Sequence, residues 1–491
     1  MIEGVEITCR RGAVATGPAE AARAGAAMFE RGGNAIDAAA AACLACAVAE
    51  PQAVDVGGYV LAAVVLEGAT GRVWSVDGNS VAPAAATTDM FRTLPVRPGR
   101  PGINELEYGC SVENDANVYG PLSIAVPGFL GGVGAMWERW GKLKWPEIVA
   151  PARALLEGGL SYDLLREAAE FKREAIARFP STAALLSEEH WPGTDLARTL
   201  DRLATAGWRD FYSGEIGRTI VDFVASQGGI LTHADMASFA PRITQPCSGT
   251  YRGIEIHTAI APNGGFSVLC ALKDVERQPS LPDSDPGYWE GMAKVLERTW
   301  RVRLADSEPA GVSPHGTIHV AAVDSEGNLV SATISQGGLF GSCLAVPGTG
   351  IIPGHGMCRF DPRPGLANSP GPGKRPLNNL CPLILRMPGR DLAVGVRGGR
   401  RIVSVATQMV QRIVDHGASL YEAAAAPRVH TLTGDPLQIS ANFDPAIRAK
   451  LESAGWHIEV PQEVAGAAHG AEILHHNREL RAAGNTWAAG S

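Results

Sequence analysis

The chain has 491 residues, 45% of them apolar and 19% charged, and a formal net charge of -8. That length exceeds what one core usually organises, so two intimately packed halves are expected, and the apolar share excludes a disordered chain. The weak acidity, with no Lys/Arg cluster interleaved with aromatics, excludes a nucleic-acid backbone as partner.

The first residues, Met1 to Glu6, carry acids where a secretory signal carries basic residues, and no apolar h-region follows. A cytoplasmic protein is expected. Pro18 to Arg31 has helical spacing and stops at Gly32-Gly33, and Asn34 is placed to cap a second helix from Ala35 to about Ala49, which Pro51 ends. The strongly apolar part of that helix, Ala38 to Ala49, is about a dozen residues, short of the roughly 20 that span a bilayer. It reads as buried. Its Cys43 and Cys46 form a C-x-x-C inside an alanine run, which points to packing rather than to redox or zinc chemistry. The nine cysteines are odd in number and scattered from Cys9 to Cys381, so no disulfide framework is expected.

Tyr59 to Leu66 and Arg72 to Val76 read as two strands joined by the turn-prone stretch Gly68 to Gly71. Residues 128–225 look predominantly helical, and Gly249 to Thr258 reads as one strand before Pro262-Asn-Gly-Gly265 breaks the pattern. After a helix around Tyr288 to Arg303 comes a loose connector, Ser307 to Gly316. A strand then begins at Thr317, turns at Ser325 to Asn328, and returns as Leu329 to Ser335, which is a hairpin signal. There is no repeat of 20 to 50 residues and no low-complexity tail.

A threonine hydroxyl needs a base within hydrogen-bond reach, and an α-amine on the same residue is one solution, since it titrates near ~7.7 to 8.0. Thr317 acquires that amine only if the Gly316-Thr317 bond is broken, and the hydroxyl can break it by attacking the preceding carbonyl to form an ester that water opens. Glycine at 316 tolerates the strained geometry this requires. A Gly-Thr pair heading a strand is common, and alone it indicates only a strand start.

The chain resembles the γ-glutamyltransferase (glutathione hydrolase proenzyme) family over nearly its whole length. In order, the matching landmarks include Glu30-Arg-Gly-Gly-Asn-Ala-Ile-Asp-Ala-Ala39, Glu50-Pro51 with Gly57-Gly58, Asp77-Gly78 with Ala82-Pro-Ala84, Leu122-Ser-Ile-Ala-Val-Pro-Gly128 and Ser248-Gly-Thr-Tyr-Arg-Gly253. They continue with Gly316-Thr-Ile-His319, Val346-Pro-Gly-Thr-Gly-Ile351, Pro372-Gly-Lys-Arg-Pro-Leu377 and Gly395-Val-Arg-Gly-Gly-Arg400. The resemblance implies an α+β fold, the four-layer αββα sandwich of N-terminal-nucleophile (Ntn) hydrolases, and a precursor that cuts itself into a large segment, 1–316, and a small one, 317–491. Both segments build one core as a heterodimer, with further dimerisation left open. Thr317 becomes the nucleophile, Ser335 stands where the family keeps a second hydroxyl beside it, and the N–H groups of Gly398 and Gly399 form an oxyanion hole.

The family's contacts to a γ-glutamyl group are mostly missing. The arginine that holds the α-carboxylate is replaced by Asn79, a Ser-Ser pair by Asn378-Asn379, an asparagine by Gly337, and the aspartate facing the ammonium by Arg359. A cation facing an ammonium costs several kcal/mol when desolvated, whereas a guanidinium favours a carboxylate. Arg359, Arg397 and Arg400, with Asn79, Asn378 and Asn379, are therefore expected to meet a small anionic substrate. The family's lid is shortened to about Asp361 to Pro372, and an extra stretch, Pro95 to Asn117, is expected to cover part of the mouth. His319 is expected to be structural and His355 to be a solvated loop histidine. No cluster has metal-ligand spacing, so no metal and no cofactor are expected.

The resulting expectation is a self-cleaving hydrolase of a small carboxylate-bearing acyl compound, either an oxamate-like amide or a carbon–carbon bond beside an oxalyl-type carbonyl. Two alternatives stand beside it: γ-glutamyl transfer or glutathione hydrolysis with rearranged contacts, and a retired scaffold that keeps the fold. The joint presence of Gly316, Thr317, Ser335, Gly398 and Gly399 argues against the scaffold.

Overall fold

Most segments fold where their patterns put them in a computed structural model, which describes residues 1–96, 103–158, 160–187, 193–304, 316–432, 436–461 and 466–491. The connector from Ser307 falls outside the described residues up to His315. Strands β1 (Ile2–Cys9) and β2 (Gly12–Thr16) lead into helices α1 (Ala19–Glu30) and α2 (Ala35–Ala49). Asn34 starts α2 through a capping box: its side chain accepts from the N–H groups of Ile36 and Asp37, both at 3.0 Å, and Asp37 accepts from Asn34 N–H at 3.0 Å. The helix is buried on all sides, as its uniform Ala/Cys/Leu/Val composition requires, and Cys43 and Cys46 are free, packed thiols.

Strands β3 (Val60–Leu66) and β4 (Val73–Asn79) follow, then the short helix α3 (Ile103–Tyr108), α4 (Phe129–Trp140), α5 (Trp145–Leu155) and a run of helices through residues 163–237. Beyond β5 (Arg242–Thr244), the stretch expected to be one strand is instead a tight hairpin, β6 (Cys247–Tyr251) and β7 (Ile254–Thr258). The reason is local. Arg252 and Gly253 both have positive φ, +50° and +80°, which reverses the chain in two residues.

Helices α6 (Gly265–Glu276) and α7 (Pro286–Arg303) precede the central hairpin β8 (Gly316–Asp324) and β9 (Leu329–Gly337). Then come β10 (Leu383–Met387), β11 (Arg390–Val396), helix α8 (Arg401–Asp415), β12 (Ala468–Leu474) and β13 (Leu480–Gly490). Among the described residues these thirteen strands form one sheet, in the order β5-β4-β3-β9-β8-β2-β13-β12-β11-β10-β7-β6 with β1 on β13. The sheet turns over on itself where β2 pairs with β13, so β8 and β9 lie against β11 and β12 without hydrogen-bonding to them.

Alternation along β8 sorts the layers. Ile318, Val320 and Ala322 pack against α1 and α2, while Ala321 and Val323 join Ala13, Ala15, Val64, Ile384, Ala393, Ala471 and Ala482 between the two sheet halves. The alanines keep this middle core thin. The other face of β10 and β11, with Leu383, Leu385, Leu392, Val394 and Val396, packs against α6, α7 and α8. The result is the α+β, four-layer αββα sandwich. Ser331 ties its middle layers, donating to Val394 O at 2.8 Å and accepting from Leu383 N–H at 3.0 Å. No helix among the described residues is long and apolar enough to cross a membrane.

The sheet halves are in close contact at Gly395, where a Cβ would lie 2.2 Å from Cε1 of His319 on β8. Gly395→Ala is expected to destabilise the fold by about 1–3 kcal/mol through overpacking. Urea denaturation checks this, and an unchanged midpoint would mean that the two strands are not apposed there.

Candidate active site

The register of the central hairpin sets Thr317 directly opposite Ser335. Their hydroxyls are 3.1 Å apart, and the residues are 6% and 1% exposed. Ser335 Oγ donates to the Gly316 carbonyl oxygen and accepts from Gly337 N–H at 2.9 Å. A serine hydroxyl has one proton and two lone pairs. The proton is committed to Gly316 O and one lone pair to Gly337 N–H, which leaves one lone pair facing Thr317. Thr317 and the Tyr59 phenol both neighbour that lone pair.

β11 ends at Val396 and α8 begins at Arg401, with Gly398 and Gly399 between them. Their φ angles, +141° and +61°, lie in the range that favours glycine. Among the described residues neither N–H has a hydrogen-bond acceptor, and both lie at the positive end of a fifteen-residue helix. Two such donors are what a developing oxyanion needs.

Arg397 lies beside the nucleophile strand: a Cβ at Gly17 would lie 3.5 Å from Arg397 Nη1 and 3.6 Å from Cγ2 of Ile318. It is paired with Glu50 at 3.3 Å and does not line the cavity that holds Arg359.

That cavity, of about 290 Å³, is lined by Arg359, Arg400, Asn379, Glu107 and Arg303 among others. Arg359 Nη2 donates to Glu107 Oε2 at 2.6 Å, with the two side chains 7% and 3% exposed. Arg400 Nη2 lies 3.8 Å from the same carboxylate oxygen and donates to the Glu107 carbonyl at 2.7 Å. Two guanidinium ions thus share one carboxylate. Burial works against the Arg359 charge, but Glu107 more than offsets it and holds the guanidinium pKa well above its ordinary value. Burial lowers the Arg400 pKa, with Glu107 opposing.

Of the six expected substrate contacts, Arg359, Arg400 and Asn379 line this cavity, whereas Asn79, Asn378 and Arg397 do not. Asn79 is fully buried behind the wall, where it donates to Pro376 O at 2.8 Å and its carbonyl accepts from Arg375. The Asn378 side chain accepts from Leu380 N–H at 3.0 Å and caps its own turn.

His319 is buried against Thr333 at 2.9 Å, and burial pushes its pKa down to about 3, which fits a structural role. His355 corrects the expectation of a solvated loop residue. It is 1% exposed, contacts Val118 O through Nδ1 at 2.9 Å, and is pushed down to about 3 by burial and by Arg359. Its ring fills the space beside Gly337, where a Cβ would lie 2.3 Å from Cδ2, so no side chain could stand where the family keeps its asparagine.

Three residues escaped the sequence reading. Tyr59 directly follows the Gly57-Gly58 landmark, and its phenol sits near both Ser335 and Arg359; burial pushes its pKa above the usual phenol value. Glu107 lies in the extra stretch, and Arg303 ends the helix before the connector. Only the unusual stretch offered a signal in advance.

The sequence model of the gamma-glutamyltranspeptidase family matches residues 21–306 and 297–491. The acylase ACY 1 proenzyme of Pseudomonas sp. (strain SE83) is 32% identical over 505 residues, covering 93% of this chain and 88% of its own. The glutathione hydrolase proenzyme of Escherichia coli (strain K12) is 26% identical over 521 residues, covering 93% and 87%. Among solved structures, a cephalosporin acylase from Bacillus halodurans shares the fold with a TM-score of 0.86 at 22% identity, over 99% of this chain and 97% of that one.

Removing the shared carboxylate leaves two buried guanidinium ions uncompensated. Glu107→Gln is expected to lower stability by about 3–5 kcal/mol, measured by chemical denaturation. A loss below about 1 kcal/mol would show that the pair is solvated rather than buried.

Proposed function

Because this chain belongs to the gamma-glutamyltranspeptidase family of Ntn hydrolases, we propose that it cuts itself between Gly316 and Thr317 and then hydrolyses an amide of a small carboxylate-bearing acyl compound. The observation that carries this reading is the pair Arg359 and Arg400 sharing the single carboxylate of Glu107 in the wall of a cavity, with Tyr59 linking that wall to Ser335. Among the described residues four arginines, Arg303, Arg359, Arg375 and Arg400, and two carboxylates, Glu107 and Asp361, line this cavity, an excess of positive charge that suits a substrate carboxylate.

In the first step Ser335 polarises the Gly316 carbonyl through its hydrogen bond, and Thr317 Oγ1 attacks that carbon. The C–N bond breaks as the ester forms, the hydroxyl proton passes to the leaving nitrogen, and water then opens the ester. Fragments 1–316 and 317–491 stay together, because β8 lies between β9 and β2 in the sheet and its hydrogen bonds to both survive the cut.

In the second reaction the new α-amine of Thr317 takes the hydroxyl proton as Oγ1 attacks the substrate carbonyl, and it returns a proton to the leaving amine. Gly398 and Gly399 N–H groups stabilise the oxyanion, and water releases the acyl group. An oxamate-like amide suits this arrangement. The acylase name of the relative at 32% identity supports an amide over a carbon–carbon bond.

A γ-glutamyl group in the family's usual pose is disfavoured. Its ammonium would face Arg359, and the family's carboxylate-binding arginine is replaced by Asn79, which is engaged with Pro376.

Dividing the 51.4 kDa chain between 316 and 175 residues predicts fragments of roughly 33 and 18 kDa on a denaturing gel. The smaller fragment is expected to begin Thr-Ile-His, to be absent in Thr317→Ala, and to form roughly 10²-fold more slowly or worse in Ser335→Ala. A single uncut band from folded wild-type protein would overturn the mechanism. A γ-glutamyl-p-nitroanilide assay is expected to show little turnover beside small carboxylate-bearing amides, and strong turnover would restore the γ-glutamyl reading.

A further inference from the structure

Arg303 lines the same cavity as Arg359 and Arg400 but has a different electrostatic setting. Its three contacts are all to neutral oxygens: Nε donates to Asn379 Oδ1 at 3.2 Å, Nη1 to Ser267 Oγ at 3.2 Å, and Nη2 to the Asn378 carbonyl. Among the described residues no carboxylate lies within ion-pair distance of it. It sits in the last turn of α7, whose carbonyl end supplies only a partial negative charge. Burial, with Arg400 nearby adding to it, lowers the Arg303 pKa to about 10, so it remains a cation at neutral pH. Three of its five N–H groups are used, and two remain.

A half-buried arginine that lines a cavity, is held only by neutral dipoles and keeps two N–H groups unused is a ready partner for an anion. We infer that Arg303, oriented by Asn379 and Ser267, binds a second anionic group of the substrate, so that the preferred ligand is a dianion such as a short dicarboxylate. Arg359 and Arg400 hold one end, Arg303 the other, and the scissile carbonyl lies along the chain between or beside them. This inference rests on the reading above that the cavity receives the substrate. Asn379 is then a positioning residue for Arg303 and need not touch the ligand.

The test is titration calorimetry on the full-length protein with two unreactive probe series, dicarboxylates from oxalate to adipate and monocarboxylates of matched length. The best dicarboxylate is expected to bind roughly tenfold more tightly than its matched monocarboxylate. Arg303→Met is expected to abolish that preference and leave monocarboxylate binding unchanged. Asn379→Asp, which sets an internal carboxylate against the guanidinium at nearly constant volume, is expected to remove the dicarboxylate preference as well, whatever it does to the absolute affinity of both series, and serves if Arg303→Met does not fold. Equal binding of the two series by wild-type protein, or a preference that survives either variant, overturns the second anion site and leaves the first intact. Binding of neither series overturns both.

Discussion

Everything at the site hangs on the register of one hairpin. Because Thr317 stands opposite Ser335, a single serine hydroxyl can reach the carbonyl ahead of the nucleophile and the nucleophile itself. A shift of one residue would turn Thr317 toward α1 and α2 and send Ile318 into the site. The far end of the hairpin is pinned accordingly. Asp324 accepts from Glu326 and Asn328 N–H groups at 2.9 and 3.0 Å and from Ala35 N–H at 2.8 Å, which fastens the turn to the start of the buried helix α2. The hairpin therefore cannot slide without breaking the cap of that helix.

Around this fixed pair the molecule arranges charge. The sheet halves approach closely because alanines fill the space between them, and that approach brings the loop after β11, with its glycines and arginines, to the strand that bears the nucleophile. The inserted helix α3 supplies Glu107, which permits two arginines to be buried together. An isolated buried guanidinium would be costly, and two would repel. Their shared carboxylate offsets that repulsion, and under the proposed function the remaining positive field meets a substrate carboxylate. Arg303, without such a carboxylate, extends the same field to the other side of the cavity.

The family relationship also gains a physical meaning from these details. The gamma-glutamyltranspeptidase fold is kept, as are the hydroxyls at 317 and 335 and the glycines at 398 and 399 to which the proposed mechanism gives catalytic roles, while the positions expected to recognise an amino-acid head group differ from the family's motif. Arg359 reverses one charge, Asn79 removes another and is drawn into the wall, and His355 occupies the volume beside Gly337. Together these changes remove the family's grip on both ends of the head group: Asn79 removes the cation for its carboxylate, while Arg359 and His355 take charge complementarity and room from its ammonium side.

Much of this was legible in the residues alone. The helices from Ala19 and Ala35, the capping by Asn34, the hairpin from Thr317 and the glycine pair at 398 and 399 follow from local periodicity, turn chemistry and ordered motifs, because those features depend on neighbours a few residues apart. The hairpin within residues 247–258 was harder to see, since an arginine in the left-handed region leaves no compositional mark. What only the tertiary structure decided is which charges meet. Glu107 and Arg359 are 252 residues apart in sequence, and Arg303 finds Asn379 across 76. The side chain at 355 could be read as solvated or buried until the fold closed over it. Charge pairing and burial are properties of the packed chain, set by which surfaces the four layers bring together, and no local pattern encodes them.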